Sequence, residues 1–286
     1  MLVLIGCVVV LLSVFGGFAI QGGHMAALFQ PTELLMIAGA AIGAFVIGND
    51  RKSIRATLQA LPTLLHGAKF SKERYMELMA LLFEVLTKIR REGLMSLEDD
   101  IDHPHESGLF SKYPATLADH HILEFITDYL RLMISGNMDA YQIENLMDNE
   151  LETYHEDAEM PIHTISTLAE AMPAFGIVAA VIGVVHTMAS VGLPPNELGM
   201  LIANALVGTF VGILLAYGFV APLASLLKRK HHEAAKMYQC VKVTLLASLH
   251  GYAPALAVEF GRKVISASER PSFGELETQM RQIKVR

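Results

Sequence analysis

Long apolar runs alternate with polar stretches along this chain of 286 residues, and the charged residues follow the same division. Residues 1–50 and 171–227 contain no Lys or Arg, so all 22 basic residues lie in 51–170 and 228–286. Four apolar segments stand out within the stretches that lack basic residues: Leu2–Ile20, Leu34–Ile47, Met172–Leu193 and Leu198–Leu227. A helix needs about 20 apolar residues to cross a bilayer, and only helices satisfy their own backbone there. The pattern therefore predicts four transmembrane helices.

The shortest of these segments, Leu34–Ile47, is supported by the residues in and around it. Pro31 precedes it and suits the first turn of a helix, and Gly39 and Gly43 form a small-residue face suited to close packing. A signal peptide is the alternative for residues 1–20. No basic residue precedes that apolar run and no small-residue cleavage site closes it, so we expect a membrane anchor.

The charges that flank the apolar segments predict the orientation. The connectors inside each pair of segments carry no basic residue, whereas Arg51 follows the second segment and Lys228 follows the fourth. Basic residues next to membrane segments stay in the cytoplasm, so both termini and the large loop are expected there. In chain order, the predicted parts are a transmembrane hairpin 1–50, a cytoplasmic helical domain 51–170, a second transmembrane hairpin 171–227 and a cytoplasmic helical tail 228–286.

The polar stretches have the spacing of amphipathic helices. Between Ser71 and Arg91, apolar residues recur every three or four positions, and Gly93 follows as a helix terminator. Ser96, with Asp99 three residues later, predicts a capped restart. Further helices are expected at Leu117–Ile134, at Ala140–Ala158, from Pro161 into the third membrane segment, and from Lys230 to Pro254. No strand alternation is present, so the predicted fold class is all-α: a polytopic membrane protein with four transmembrane helices and a helical cytoplasmic domain.

Enzyme motifs are absent from the sequence. His232 and Glu233 begin an H-E-x-x-H pattern, but Lys236 stands where the second zinc-binding histidine belongs. The pairs His103 with His105 and His120 with His121 lack regular ligand spacing and are interpreted as surface histidines. No phosphate-binding loop or nucleophile elbow occurs. We expect no enzyme activity, no cofactor, no metal and, because acids outnumber the interspersed bases, no nucleic-acid partner. Two cysteines predict no disulfide.

The predicted membrane segments contain no Asp, Glu, Lys or Arg in their interiors. We therefore expect that this chain alone has no carboxylate with which to relay a proton, and that a partner supplies one. Hydrogen bonding between helices is the alternative role of the polar residues that remain: His186, Thr187, Asn204, Thr209 and Tyr217.

The fourth segment carries a recognisable motif. It reads ALVGTFVGIL over residues 205–214 and is followed by Pro222, which resembles the signature of the MotA family of flagellar motor stator subunits. The resemblance extends over nearly the whole chain. It includes membrane helices split two and two by a large loop, Pro173 near the third segment, and the segment from Arg90 to Glu98.

This resemblance implies a proton-driven rotary stator in the bacterial inner membrane. A pentameric ring of this chain would surround a dimer of a MotB-type partner, whose single helices carry the proton-binding Asp, with membrane lipid around the ring. Proton flow would turn the ring against the rotor protein FliG. The resemblance assigns torque-bearing contacts to Arg90 and Glu98 with Glu150 as a companion, a proton path to Thr209 and Ala180, and hinges to Pro173 and Pro222.

Without the family resemblance, these residues have simpler interpretations. Arg90, Glu98 and Glu150 are exposed charges at helix ends, a class that usually changes stability little. Pro173 and Pro222 fit a helix start and a helix kink. Because Pro222 lies inside an apolar run, where it deletes a backbone hydrogen bond, a hinge is the favoured interpretation.

The residues of the third segment predict which ion is used. No Ser, Thr, Asn or Gln occurs from Pro173 to Val185, and Ala179 and Ala180 stand where sodium-type relatives look to carry another hydroxyl. Thr209 is then the one mid-depth hydroxyl of the third and fourth segments. A single hydroxyl is too few for a dehydrated sodium ion but suffices to orient water, so proton coupling is expected.

Two other classes of protein are alternatives. ExbB/TolQ-type subunits also energise a partner with one carboxylate-bearing helix, but they look like three-helix proteins and lack a hairpin like residues 1–50. A structural scaffold or permease subunit without ion flux leaves the charged segment between Arg90 and Glu98 unexplained.

Overall fold

The computed structural model describes residues 2–65, 70–189 and 192–285 of the chain. Every regular element among these residues is helical, which confirms the predicted all-α class. The chain forms two compact units. The first contains Met1–Gly67 and Asp157–Arg229, and the second contains Ala68–Glu156 and Lys230–Arg286. These units do not test the predicted boundaries between the membrane hairpins and the cytoplasmic domains, which stay predictions.

Thirteen α-helices follow one another among the described residues: α1 (Leu2–Ile20), α2 (Met25–Leu28), α3 (Pro31–Gly48), α4 (Arg51–Ala60), α5 (Lys72–Glu92), α6 (Glu98–Asp102), α7 (Pro114–Leu117), α8 (His120–Ser135), α9 (Ala140–Met188), α10 (Pro195–Leu215), α11 (Ala221–Leu249), α12 (Pro254–Val264) and α13 (Phe273–Val285). Short 3₁₀ turns occupy Leu61–Leu65, Leu94–Leu97 and Phe110–Lys112, and a π-helical turn at Ala216–Val220 joins α10 to α11.

Four stretches among the described residues are long and apolar enough to cross a membrane, as predicted: Leu2–Ile20, Met25–Gly48, Ala140–Met188 and Pro195–Leu249. None of the residues of α1 is buried. A helix that is apolar on all sides and uncovered needs lipid or another chain around it. The chain is therefore a multi-pass membrane protein.

The second membrane helix begins at Pro31, the residue that the sequence indicates as suited to a helix start. The apolar run itself begins three residues later, at Leu34. Proline is favoured at the first helical position, because the backbone N–H that it lacks has no partner in a helix anyway. The earlier start places Glu33 within the first turn of the helix.

The third membrane helix is part of a 49-residue helix, α9, which contains Pro161 and Pro173 in its interior. The predicted end near Ala158 is therefore wrong, and Pro173 does not begin a helix. Each proline removes one backbone hydrogen bond. Ile162, Ile165 and other buried neighbours nevertheless pack this region against Leu64 and Leu227, and that burial holds the helix through the interruption.

The second unit has a continuous hydrophobic core. It is built on α5, which buries Leu78, Leu82 and Val85 as the sequence predicts, and on α8, which buries Ile126 and Leu130. In α5 the whole run 78–83 is buried, so this helix is covered beyond the single apolar face that the three- and four-residue spacing predicts.

The predicted end of α5 is confirmed, but the predicted restart is wrong. Gly93 has a φ of 87°, which favours glycine, and its N–H donates to Ile89 O at 2.9 Å. Ser96 does not cap a helix, because its hydroxyl donates to Gly93 O at 2.7 Å. The helix α6 begins at Glu98, and no side chain of the described residues caps it.

The next helix also begins later than predicted. α8 starts at His120, because the short α7 and the residues around Asp119 occupy the segment from Leu117 onward. It ends at Gly136, whose left-handed conformation (φ 65°, ψ 6°) closes the helix where glycine and Asn137 indicate.

Candidate functional site

Two membrane helices of the first unit, α9 and α10, approach each other through glycines. A Cβ atom added to Gly176 would lie 2.8 Å from Gly208 O and 3.3 Å from Thr209 Cα. One added to Gly212 would lie 2.9 Å from Gly176 Cα. A side chain at these positions would push the two backbones apart. Thr209 is therefore at the point where the helices are closest.

The two residues predicted for the proton path, Thr209 and Ala180, both belong to this contact between α9 and α10. A Cβ atom added to Gly208, the residue before Thr209, would lie 3.3 Å from Ala180 N and 3.1 Å from Ala179 Cβ. Ala179 and Ala180 are buried, and Thr209 is half-buried. Thr187, in contrast, donates its hydroxyl hydrogen to Gly183 O at 2.9 Å, within its own helix. The structure thus places Ala180 beside Gly208, the residue before Thr209, and the roles of Ala180 and Thr209 in a proton path stay predictions.

Glu33 is an acidic residue of this site that sequence reasoning missed. Its side chain is 7% exposed, and its Oε2 atom has no hydrogen-bond partner among the described residues. A Cβ atom on Gly208 would lie 2.6 Å from Oε2, and one on Gly183 would lie 3.6 Å from Oε1. The expectation that no acidic residue lies inside the membrane helices is therefore wrong. Pro31 carried the signal, because a helix that starts at that proline includes Glu33.

Pro222 follows the π-helical turn between α10 and α11. It has no N–H with which to bond the carbonyl of Gly218, four residues earlier. The π turn at Ala216–Val220 includes that residue. Single π turns and prolines are the usual places where a long helix bends. This geometry makes the segment a candidate hinge, and the hinge roles of Pro173 and Pro222 stay predictions.

In the second unit, the α5–α6 corner (residues 90–98) displays two opposite charges. Arg90 is exposed in the last turn of α5, and Glu98 is exposed as the first residue of α6. Within the part of the chain that is described, neither forms an ion pair. Behind them, Lys88 Nζ lies 2.6 Å from Asp100 Oδ2, and Asp100 Oδ1 accepts a hydrogen bond from Ser107 Oγ at 2.6 Å. This pairing holds the corner while Arg90 and Glu98 remain available.

Glu150, the third predicted torque residue, forms a hydrogen bond with a buried tyrosine. It lies on α9, is exposed, and its Oε2 accepts a hydrogen bond from Tyr129 Oη at 2.6 Å. Tyr129 is 1% exposed, and burial together with this carboxylate raises the pKa of its hydroxyl. No contact in the described part of the chain joins Glu150 to Arg90 or Glu98. The structure therefore does not place the three charges in one cluster.

Histidine clusters occur only on exposed or half-buried surface of the described residues. The side chains of His120, His121 and Glu124 place possible metal-ligand atoms within 4.8 Å of one another. The sequence spacing of His120 and His121 alone does not predict this arrangement. All three are exposed, which leaves the prediction of surface histidines in place. His155 Nδ1 lies 3.0 Å from His231 Nε2, beside the ring of Tyr154.

Comparisons with known proteins agree with this architecture. Residues 4–93 match the family described as Motility protein A N-terminal, and residues 118–240 match the MotA/TolQ/ExbB proton channel family. The chain is 55% identical to Motility protein A of Salmonella typhimurium and to that of Escherichia coli, over 99% of this chain and 96% of each relative. It is 37% identical to the chemotaxis protein LafT of Vibrio parahaemolyticus, over 96% of each chain.

Two solved structures have the same fold. The structure of C. jejuni MotAB superposes with a TM-score of 0.79 at 20% identity, covering 94% of this chain and 98% of that one. The flagellar MotAB stator complex from Bacillus subtilis superposes with a TM-score of 0.74 at 25% identity, covering 96% and 98%. Four membrane helices with a glycine-packed pair, together with these matches, define a proton-channel subunit rather than an enzyme. Within that class, the chain belongs to the Motility protein A family.

Proposed function

We propose that this chain is the stator subunit of a bacterial flagellar motor. It forms a proton channel with a MotB-type single-helix partner and converts proton flow into torque on the rotor protein FliG. The observation that carries this proposal is the glycine-packed contact between α9 and α10, where Gly208, the residue before Thr209, lies against Ala180. The 55% identity to Motility protein A and the similarity to two MotAB structures support the choice of partner.

The assembly proposed is a pentameric ring of this chain around a dimer of the partner, in the bacterial inner membrane. Both termini and the large loop lie in the cytoplasm. The uncovered apolar surface of α1 supports an assembly in which lipid and neighbouring copies surround the helices. The basic residues that follow the second and fourth membrane segments support the orientation.

Within this assembly, Thr209 and Ala180 line the proton path. The Thr209 hydroxyl orients water beside the carboxylate that the partner brings, and the small Ala180 leaves room for it. Proton transfer needs only a carboxylate and hydrogen-bonded water, whereas sodium needs several oxygen ligands. Pro222 and the adjacent π turn, with Pro173 on α9, allow the helices to bend as the carboxylate changes its charge.

Torque is transmitted by the α5–α6 corner. Arg90 and Glu98 present opposite charges on a rigid, solvent-facing turn. Such charges steer and register a moving partner rather than bind it tightly. Glu150, on α9, is a companion charge.

A swimming assay tests this proposal. A strain without its own stator subunit should regain motility when it carries this chain and its partner. Arg90→Glu and Glu98→Lys should each impair swimming while membrane insertion and co-purification with the partner remain normal. Arg281→Glu and Glu106→Lys reverse exposed charges elsewhere and should swim normally. Normal swimming of both corner variants at low and at high ionic strength would contradict the torque role.

A further inference from the structure

The most unusual polar group in the first unit is the carboxyl of Glu33. It belongs to a membrane helix, is 7% exposed, and its Oε2 finds no hydrogen-bond partner in the described part of the chain. A buried carboxylate without a partner is costly in its ionised form, so such residues in membrane helices usually have a function.

Among the residues that the structure describes, the surroundings of the carboxyl contain no counter-ion. Its oxygens lie against Gly208 of α10 and Gly183 of α9, with Ala205 next to Gly183. Between residues 171 and 215, the part of α9 and α10 that forms the membrane segments, the titratable groups are His186 and Glu197, and both are exposed. Whether the Glu33 carboxyl carries a proton therefore depends on the protons and water that reach it, and not on a charged side chain beside it.

The carboxyl is also adjacent to the predicted proton path. Gly208 immediately precedes Thr209, and the space beside Gly208 that Glu33 Oε2 occupies is bordered by Ala180 N. A larger residue at position 208 would displace the carboxyl, since its Cβ would lie 2.6 Å from Oε2. The absence of a side chain at this position gives Glu33 access to the Thr209 region of α10.

We propose that Glu33 is a second proton-binding residue of the channel, supplied by this chain itself; this rests on the proton-channel function proposed above. In the step assigned to it, a hydronium ion on the outer side gives its proton to the carboxylate: one O–H bond of the hydronium breaks and leaves water, and an O–H bond forms on Glu33. That bond then breaks, and the proton passes through water at Thr209 to the partner's carboxylate. Glu33 thus receives the proton first and keeps it ready beside the path.

The experiment uses the complex of this chain with its MotB-type partner, reconstituted in lipid vesicles that contain a pH-sensitive dye. Proton uptake is driven by a membrane potential. Glu33→Gln keeps the size and the polar atoms but cannot bind a proton, and Glu33→Asp keeps the acid. Glu197→Gln is the matched control, because Glu197 is also acidic and in the first turn of a membrane helix, but exposed.

A second readout separates proton binding from packing. The infrared difference spectrum between acid and alkaline pH records the C=O stretch of each carboxyl that gains a proton. We expect Glu33→Gln to lose one such band and to lower proton uptake by about a hundredfold or more, the scale of a lost proton-transfer group. Glu33→Asp should keep a band and restore part of the uptake, and Glu197→Gln should conduct like the unmodified complex.

Unchanged proton uptake by Glu33→Gln, or an unchanged infrared spectrum of that variant, would overturn the inference. A third outcome would also overturn it: if the Gln and Asp variants lose uptake and co-purification equally, Glu33 has a packing role. A different result would contradict the proposed function instead. If the unmodified complex takes up no protons, the channel assignment fails, while the infrared spectrum still reports whether Glu33 binds a proton.

Discussion

Lys88 and Asp100 form an ion pair, with 2.6 Å between Nζ and Oδ2, that joins α5 to α6 behind the α5–α6 corner. Both side chains are more than two-thirds buried, and Asp100 also accepts the Ser107 hydroxyl. We predict that Asp100→Asn weakens the pairing and costs about 1 kcal/mol of folding stability. Because Arg90 and Glu98 are then less fixed, motility should fall as well. Thermal unfolding of the purified chain and swimming speed measure the two effects. Asp99→Asn changes the neighbouring exposed acid and should alter neither quantity.

Glu150 combines a surface charge with a hydrogen bond to the buried Tyr129. We expect Glu150→Lys to destabilise the second unit by about 1–2 kcal/mol, because the buried hydroxyl loses its acceptor. Glu150→Gln keeps an acceptor oxygen and should preserve stability, so its effect on swimming isolates the charge. Glu152→Lys reverses an exposed charge on the same helix and serves as the control. Equal stability of Glu150→Lys and Glu152→Lys would show that the Tyr129 contact contributes nothing.

The glycine contact between α9 and α10 predicts that alanine substitutions at two glycines of α10 differ in their effect on stability. A Cβ on Gly212 would lie 2.9 Å from Gly176 Cα, whereas a Cβ on Gly199 has nothing within 4 Å. Gly212→Ala should therefore destabilise the helix pair by about 1–3 kcal/mol and reduce co-purification with the partner. Gly199→Ala should be tolerated, since alanine favours the helix. Equal yields of both complexes would mean that the helices are not this close.

The start of α13 depends on pH through Glu275. Its carboxylate lies 2.7 Å from Lys72 Nζ and accepts the N–H of Ser272, and these bonds lower the pKa of Glu275 from 4.5 to about 2. A lowered pKa means that the contact stabilises the folded protein above pH 4.5 and is lost as the pH falls from 4.5 towards 2. Glu275→Gln should speed hydrogen exchange of α13 at pH 7. The difference from the unmodified chain should shrink in acid, and a constant difference would contradict this assignment.

The sequence predicted the membrane helices because each needs a long apolar run, which is a local property. The apolar run alone begins at Leu34, because an apolar window ends at an acidic residue such as Glu33, whereas Pro31 indicated the start of α3 that the structure shows. The sequence indicated a helix end near Ala158 because proline opposes helices locally, whereas packing around Ile162 and Ile165 holds α9 through Pro161.

Contacts between distant residues were outside the reach of pattern analysis. Lys88 and Asp100 are 12 residues apart, and Tyr129 and Glu150 are 21 apart on different helices. Their pairing follows from tertiary packing and not from spacing. The glycine motif around Thr209 was recognisable, but the carboxyl that occupies the space beside Gly208 comes from a different part of the chain.

The identity of the driving ion depends on the side chains around Thr209. This residue lies where α9 and α10 are closest, and the third membrane segment offers no hydroxyl from Pro173 to Val185. Thr209→Val has nearly the same shape but cannot hydrogen-bond water, so it should slow or stop rotation, whereas Thr209→Ser should keep most of it. Swimming by the unmodified chain should not depend on external sodium at fixed pH and should stop when a protonophore collapses the proton gradient. Speed that follows sodium and survives the protonophore would show that the channel conducts sodium. It would also show that the missing oxygen ligands come from the partner.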